Sequence, residues 1–310
     1  MKRRDFIAGL GGAAAWPLAA RAQQREPARR VGLLLSGLPP DDPEVQARIA
    51  AFVQRLQEHG WADGRNVQIE RRFGLGDADR LRRYAAELVA LAPDVIVAGG
   101  NPAVVALQQA TQTVPIVFAN AADPVGMGYV ASLARPGGNT TGFMNVEFAL
   151  AAKLLELLKQ IAPRVTRVAI VRNSLIPGGG GVGEFAAIAS VAPSLGVELT
   201  PIDAVEPHEI ERAVTAFMHG PNDGMIVTAQ RGPTQRNTVI ALAARLRLPA
   251  VYGFRRFVTD GGLISYGPDQ AEPYRLAADY VDRILKGEKP ADLPVQAPTK
   301  YEMVDRKSVV

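Results

Sequence analysis

Two short runs, Val95–Ala98 and Ile116–Ala119, are apolar throughout, with no alternating polar face. Strands of that kind must be covered on both sides, which confines them to parallel sheets sandwiched between helices. Both runs end in small and polar residues, so Gly100, Asn101, Asn120 and Asp123 are expected at the carboxyl edge of the sheet. In open α/β sheets that edge is where ligands bind. The pattern then returns. Asp94-Val95-Ile96-Val97 has a counterpart in Asp223-Gly224-Met225-Ile226-Val227, and Val114-Pro115-Ile116-Val117-Phe118 in Leu248-Pro249-Ala250-Val251-Tyr252.

The intervening segments fit the same scheme. Strands are predicted at 30–36, 66–71, 140–145, 166–172, 197–202, 224–228, 249–252 and 262–266. Apolar residues at helical spacing predict helices at 43–59, 79–91, 102–111, 150–161, 184–192, 206–218, 234–246 and 273–285. Strands alternating with helices predict α/β architecture, here as two Rossmann-like lobes with parallel sheets. A chain of 310 residues exceeds what one hydrophobic core usually serves. The Pro-rich end (Pro290, Pro294, Pro298) reads as an extended return, and with 140–145 and 265–268 it makes three crossings that form a hinge. The expected division is 29–143 plus 269–289 for lobe one, and 144–268 plus 290–310 for lobe two.

Residues 1–22 read as an export signal. Lys2-Arg3-Arg4-Asp5-Phe6-Ile7 carries a twin arginine, an Ala/Gly-rich segment follows, and Ala20-Arg21-Ala22 supplies a small-x-small cleavage site. The apolar part is too short to span a bilayer, so no stable membrane insertion is expected after cleavage. This leader also explains the basic pI of 9.4. Lys2, Arg3, Arg4 and Arg21 against Asp5 supply +3 of the formal +4, leaving +1 for the rest. A nearly neutral chain with only short, separated arginine pairs argues against a nucleic-acid partner. The absence of cysteine excludes disulfides, thiolate metal sites and cysteine nucleophiles.

Catalytic patterns are sparse. No Gly-Lys-Ser/Thr phosphate loop or Gly-x-Ser-x-Gly elbow occurs, and His59, His208 and His219 lack metal-ligand spacing. The run Gly178–Gly183 follows a strand and precedes a helix, with Glu198 about 20 residues on, where a ribose-binding acid would lie. It keeps a nicotinamide-dependent oxidoreductase as an alternative. Against that stands Ser174-Leu175-Ile176-Pro177, which separates strand from glycine where a pyrophosphate turn is tight. No cofactor and no metal are expected, and a binding protein is favoured over an enzyme.

The ordered motifs Asp123-Pro124-Val125-Gly126, Arg135-Pro136-Gly137-Gly138-Asn139, Leu248-Pro249-Ala250-Val251-Tyr252-Gly253 and Gly262-Leu263-Ile264-Ser265-Tyr266-Gly267-Pro268 resemble the solute-binding proteins of bacterial ABC importers. The branch is the one linked to tryptophan or tyrosine uptake. The resemblance implies a periplasmic protein of the type I periplasmic-binding fold, which closes on a small solute and docks to a permease working with an ATPase subunit. One departure is that Arg172-Asn173-Ser174 and the glycine run stand where members usually carry Asn-Pro. A ligand-sensing domain without transport is a further alternative. The expected ligand contacts are Ser36, Gly100, Asn101, Asn120 and Asp123 from one lobe, and Arg172, Asn173, Gln230 and Tyr252 from the other. Helix N–H groups after Gly100 and Asn101 would receive a carboxylate. Asp123 would suit an ammonium, Arg172 a second anion, and Tyr252 and Phe254 an apolar moiety.

Overall fold

The computed structural model describes residues 28–175, 180–228 and 232–308. The proposed leader, Gly178, Gly179 and Gln230 lie outside the described residues. The first sheet contains β1 (Arg29–Leu35), β2 (Val67–Phe73), β3 (Val95–Gly99), β4 (Ile116–Ala121) and β5 (Thr140–Met144), in the order β2-β1-β3-β4-β5 and parallel throughout. Helices α1 (Pro43–Glu58), α2 (Ala78–Ala90) and α3 (Asn101–Ala110) connect its first four strands. Burial on both faces is visible within one strand. Val95 and Val97 belong to one apolar cluster, Ile96 and Ala98 to the other, as the two-residue period of a strand requires.

The second sheet runs β11-β10-β9-β8-β6-β7, with β6 (Arg167–Arg172), β7 (Glu198–Asp203), β8 (Asp223–Val227), β9 (Ala250–Tyr252), β10 (Ile264–Pro268) and β11 (Tyr301–Asp305). Its helices are α4 (Ala152–Ile161), α5 (Val182–Val191), α6 (Pro207–Phe217), α7 (Pro233–Arg245) and the short α8 (Arg255–Thr259). Two α/β lobes with mostly parallel sheets are thus present. The sequence reading missed α8 and β11. β11 pairs antiparallel with β10, and its pattern (Tyr-Glu-Met-Val-Asp) buries only Val304, too little to show as an apolar run.

The last helix, α9 (Glu272–Leu285), follows a strand of the second sheet yet packs on the first, burying Tyr274, Ala277, Ala278, Val281 and Ile284 among β1, β3 and α1 residues. The segment 290–310, expected with the second lobe, is divided. Leu293 and Val295 sit in first-lobe clusters, whereas Tyr301–Asp305 completes the second sheet. The three crossings are bonded to one another and to both lobes. Met144 N–H donates to Gln296 O at 2.8 Å, and Gln296 N–H to Gly142 O at 3.0 Å. Glu147 N–H donates to the Tyr301 hydroxyl at 2.8 Å, and Asn120 Nδ2 to Gln270 O at 2.9 Å.

Glycine is required where β10 meets the end of β9. A Cβ on Gly267 would overlap the Gly253 carbonyl oxygen, which is backbone and cannot rotate away. Gly267→Ala is therefore expected to cost roughly 2 kcal/mol or more in denaturant unfolding. Gly220→Ala, at a glycine with open space around it, should stay within about 0.5 kcal/mol.

Candidate functional site

Along the first sheet, the strand ends gather the expected residues. Ser36 follows β1 and donates its hydroxyl to Gly99 O at 2.7 Å. Beside it, Gly100 takes φ +87° to open α3, and a Cβ there would come within 2.8 Å of Ser36 Oγ. Asn120 also has a positive φ, +57°, at an irregularity in the β4–β5 register. Such bulges re-aim a side chain at a sheet edge. Here the amide turns to the crossing at Gln270, and its Oδ1 is buried without a partner.

Other expectations meet a structural role. Asn101 is buried, and its amide clips the chain beyond β4. Its Nδ2 donates to Ala122 O at 3.1 Å, and its Oδ1 accepts from Ala122 N–H at 2.8 Å. Asp123 (φ +48°) accepts Gly126 N–H at 3.0 Å, closing the turn after β4. Arg172 is engaged bidentately by Asp203 at 2.9–3.1 Å and lies 4.6 Å over the Phe185 ring. Burial pushes the Asp203 carboxyl up, but hydrogen bonds from Arg172 and Ser174 outweigh it and hold the group below its ordinary range. Asn173 accepts Leu175 N–H on its Oδ1, an arrangement local to its own loop. Tyr252 is a correction. It is 1% exposed and stacks on Phe257 at 4.8 Å, because its strand position faces the core beneath α8. Phe254, two residues on, reaches the site instead.

The glycine run also has a packing explanation. Gly181 (φ +89°) opens α5 where a Cβ would collide with the Thr228 hydroxyl and approach Arg172 Cβ to 3.1 Å. Two residues on, in the same first turn, Gly183 rests on the Phe148 ring. These glycines bring α5 hard against the ends of β6 and β8. The connection spans residues 173–181, far from the tight turn that holds a pyrophosphate.

Two cavities lie on the seam between the lobes. The wider, about 260 Å³, is lined by α1 (Glu44, Arg48), α8 (Arg255, Arg256) and the crossing (Asp269, Gln270). Since α1 follows β1 and α8 follows β9, the carboxyl edges of both sheets border it. Arg48 is 9% exposed, with Nε and Nη2 making no hydrogen bond; its nearest carboxylate oxygen, on Glu44, is 3.5 Å away. The smaller cavity, about 30 Å³, sits at the edge of the second sheet and is lined by all three crossings through Asn145, Pro268 and Tyr301. Glu184, Thr228 and Phe254 complete it. Burial raises the Glu184 carboxyl to about 7. Both cavities include Pro268, so they are neighbours. Sequence reasoning missed Arg48, Asn145, Glu184, Thr228 and Gln270. Arg48 shares the buried face of α1 with Val45 and Phe52, its guanidinium over the Tyr274 ring of α9, and Glu184 is a lone acid on the largely apolar α5; in the sequence a charged residue reads as solvent-facing.

Most buried side-chain polar atoms without a hydrogen bond, among the described residues, belong to this seam: Arg48, Asn120, Asn145, Glu184, Thr228 and Gln270. Native interiors rarely leave such groups unpaired, so their concentration gives this seam the chemistry to take up polar partners.

Comparisons with known proteins agree on the kind of molecule. A family model described as ABC transporter substrate binding protein matches residues 41–309. A tyrosine-binding protein of Clostridioides difficile is 23% identical over 273 residues, covering 85% of this chain and 75% of that one. An ABC domain in complex with L-Trp from Streptococcus pneumonia superposes with a TM-score of 0.80 at 25% identity, covering 91% of this chain and 93% of that one. A myo-inositol-bound solute-binding protein of Bacillus halodurans shares the fold at 12% identity, with a TM-score of 0.64, and covers 93% and 98%.

Two stability predictions follow from the geometry. The Glu184 carboxyl is raised, so folding favours its protonated form. Its contribution is whole below about pH 4.5 and is lost as pH rises through about 7. By pH 8 the loss is roughly 3 kcal/mol relative to pH 4. Glu184→Gln should remove that slope in urea unfolding measured from pH 4 to 8. Asn101→Ala should cost roughly 1–3 kcal/mol at any pH, because it leaves the Ala122 amide and carbonyl unpaired.

Proposed function

The chain belongs to the family of ABC transporter substrate-binding proteins, and on that premise we propose that it is the periplasmic capture component of an importer for a small amino-acid-like or carboxylate solute. The observation that carries this reading is the 260 Å³ pocket bordered by the carboxyl edges of both sheets. A solute seated there touches α1 of one lobe and α8 of the other, so it binds a closed arrangement better than an open one. That difference in affinity drives closure, with no bond made or broken.

Solute chemistry is read from the polar groups at the pocket. Arg48 lies over the Tyr274 ring with Glu44 3.5 Å away, and its Nε and Nη2 make no hydrogen bond, so its guanidinium suits a carboxylate. Pro43, Glu44 and Ala47 of α1 form the first-lobe wall, and Asn120, bonded to Gln270 at the pocket's margin, keeps an Oδ1 able to accept a hydrogen bond. The relatives named for tyrosine and bound to L-Trp support an amino acid. Export by the twin-arginine leader would deliver the mature chain to the periplasm, where the closed form docks on a permease coupled to an ATPase. Among the described residues, no helix is long and apolar enough to cross a membrane.

The test begins with the mature protein purified without refolding. Mass spectrometry of the released small molecules should find one carboxylate solute in near-stoichiometric amount, and a strain lacking the gene should lose uptake of it. Binding without any uptake defect would favour a sensor over an importer. Arg48→Met should weaken calorimetric affinity for that solute about tenfold or more, and an unchanged affinity would remove Arg48 from the site.

A further inference from the structure

We propose that the small cavity beneath the three crossings is an ammonium subsite, in which Glu184, Asn145 and Thr228 hold a charged amino group. The proposal rests on the importer reading and narrows it: the solute carries a primary amine.

Three residues lining this cavity each hold a buried side-chain oxygen with no partner: Asn145 Oδ1, Glu184 Oε2 and Thr228 Oγ1. All three accept hydrogen bonds, and an alkylammonium offers three N–H donors. Glu184 is 8% exposed and Thr228 2%, so solvent does not satisfy them. Water can donate two hydrogen bonds there, but it brings no charge to a buried carboxylate. An unpaired carboxylate in such a place is costly, and the cost is relieved when a cation enters.

The walls and the size agree with this occupant. Phe254, Tyr266 and Tyr301 line the cavity, the two tyrosines stacked at 5.6 Å, and aromatic faces attract cations. A volume of about 30 Å³ admits a head group and excludes a whole amino acid. The rest of the solute would extend past Pro268 into the wider pocket, toward Arg48. Asp123, the acid that the sequence offered for this role, is instead engaged in its own turn.

Because the solute is unidentified, the probe is methylammonium chloride, titrated into the ¹⁵N-labelled mature chain at pH 8 and constant ionic strength. Saturable shifts are expected at the amides of Asn145, Thr228 and Gly253, with none from tetramethylammonium, which is larger and has no N–H. Glu184→Gln should weaken the response roughly tenfold or more. Glu156→Gln, which changes an exposed carboxylate on α4, should leave it intact. No saturable shift in the wild type, or an undiminished one in Glu184→Gln, overturns the proposal and assigns the cavity to water. Mass spectrometry separates the two readings. A released solute lacking an amine overturns the ammonium subsite and leaves the importer standing. An amine solute whose uptake does not depend on the gene supports the subsite while the importer reading fails.

Discussion

Covering both faces of each parallel sheet leaves this chain one kind of place for polar chemistry. Val95, Val97, Ile96 and Ala98 are fully buried to both sides, as are Met225, Ile226 and Val227 in the second sheet. An unpaired polar group in such strands would cost several times what one hydrogen bond returns. Polar side chains are therefore displaced to the strand ends, where Ser36, Asn120, Thr228 and the crossings collect. The site is a consequence of how the core is closed.

The crossings turn two such edges into one site. Gln296 is hydrogen-bonded to the strand at 142–144, Glu147 to Tyr301, and Asn120 to the turn at Gln270. These bonds tie the paths between lobes into a compact strap, while the strap itself leaves oxygens of Asn145 and Gln270 unpaired. Domain closure around a ligand absorbs its motion in a few residues at element ends. A strap bonded to itself restricts that motion to a hinge and keeps the paths between the lobes together. Glycine enters at the contact points, with Gly267 against the Gly253 backbone and Gly181 against the Thr228 side chain, because no Cβ fits at either.

Opposite charges sit on opposite sides of Pro268. Arg48 offers N–H groups on one side and Glu184 a carboxylate on the other, each more than nine-tenths buried or close to it. Neither is hydrogen-bonded through those atoms within the chain. A zwitterion answers both at once, which is the chemistry of the amino acids associated with two of the similar proteins. The same fold at 12% identity holds myo-inositol, so the lobes do not themselves choose the solute.

The sequence alone determined the α/β architecture and its duplication, because both depend on local patterns. Runs such as Val95–Ala98 and Met225–Val227 can be buried on two faces only in a parallel sheet, and the strand ends follow directly. It also placed Ser36, Gly100 and Asn120 at the edge. It did not separate Asn101, which clips the Ala122 backbone, and Asp123, which closes its own turn, from residues with polar atoms to spare. It put Tyr252 at the ligand, although strand alternation turns that ring into the core. Only the tertiary structure decided that Arg48, Asn145, Glu184 and Thr228 meet at the seam. Their spacing along the chain carries no trace of it, since the elements that enclose them are distant in sequence: Tyr274 of α9 at Arg48, and the crossings at Asn145 and Tyr301 at Glu184 and Thr228.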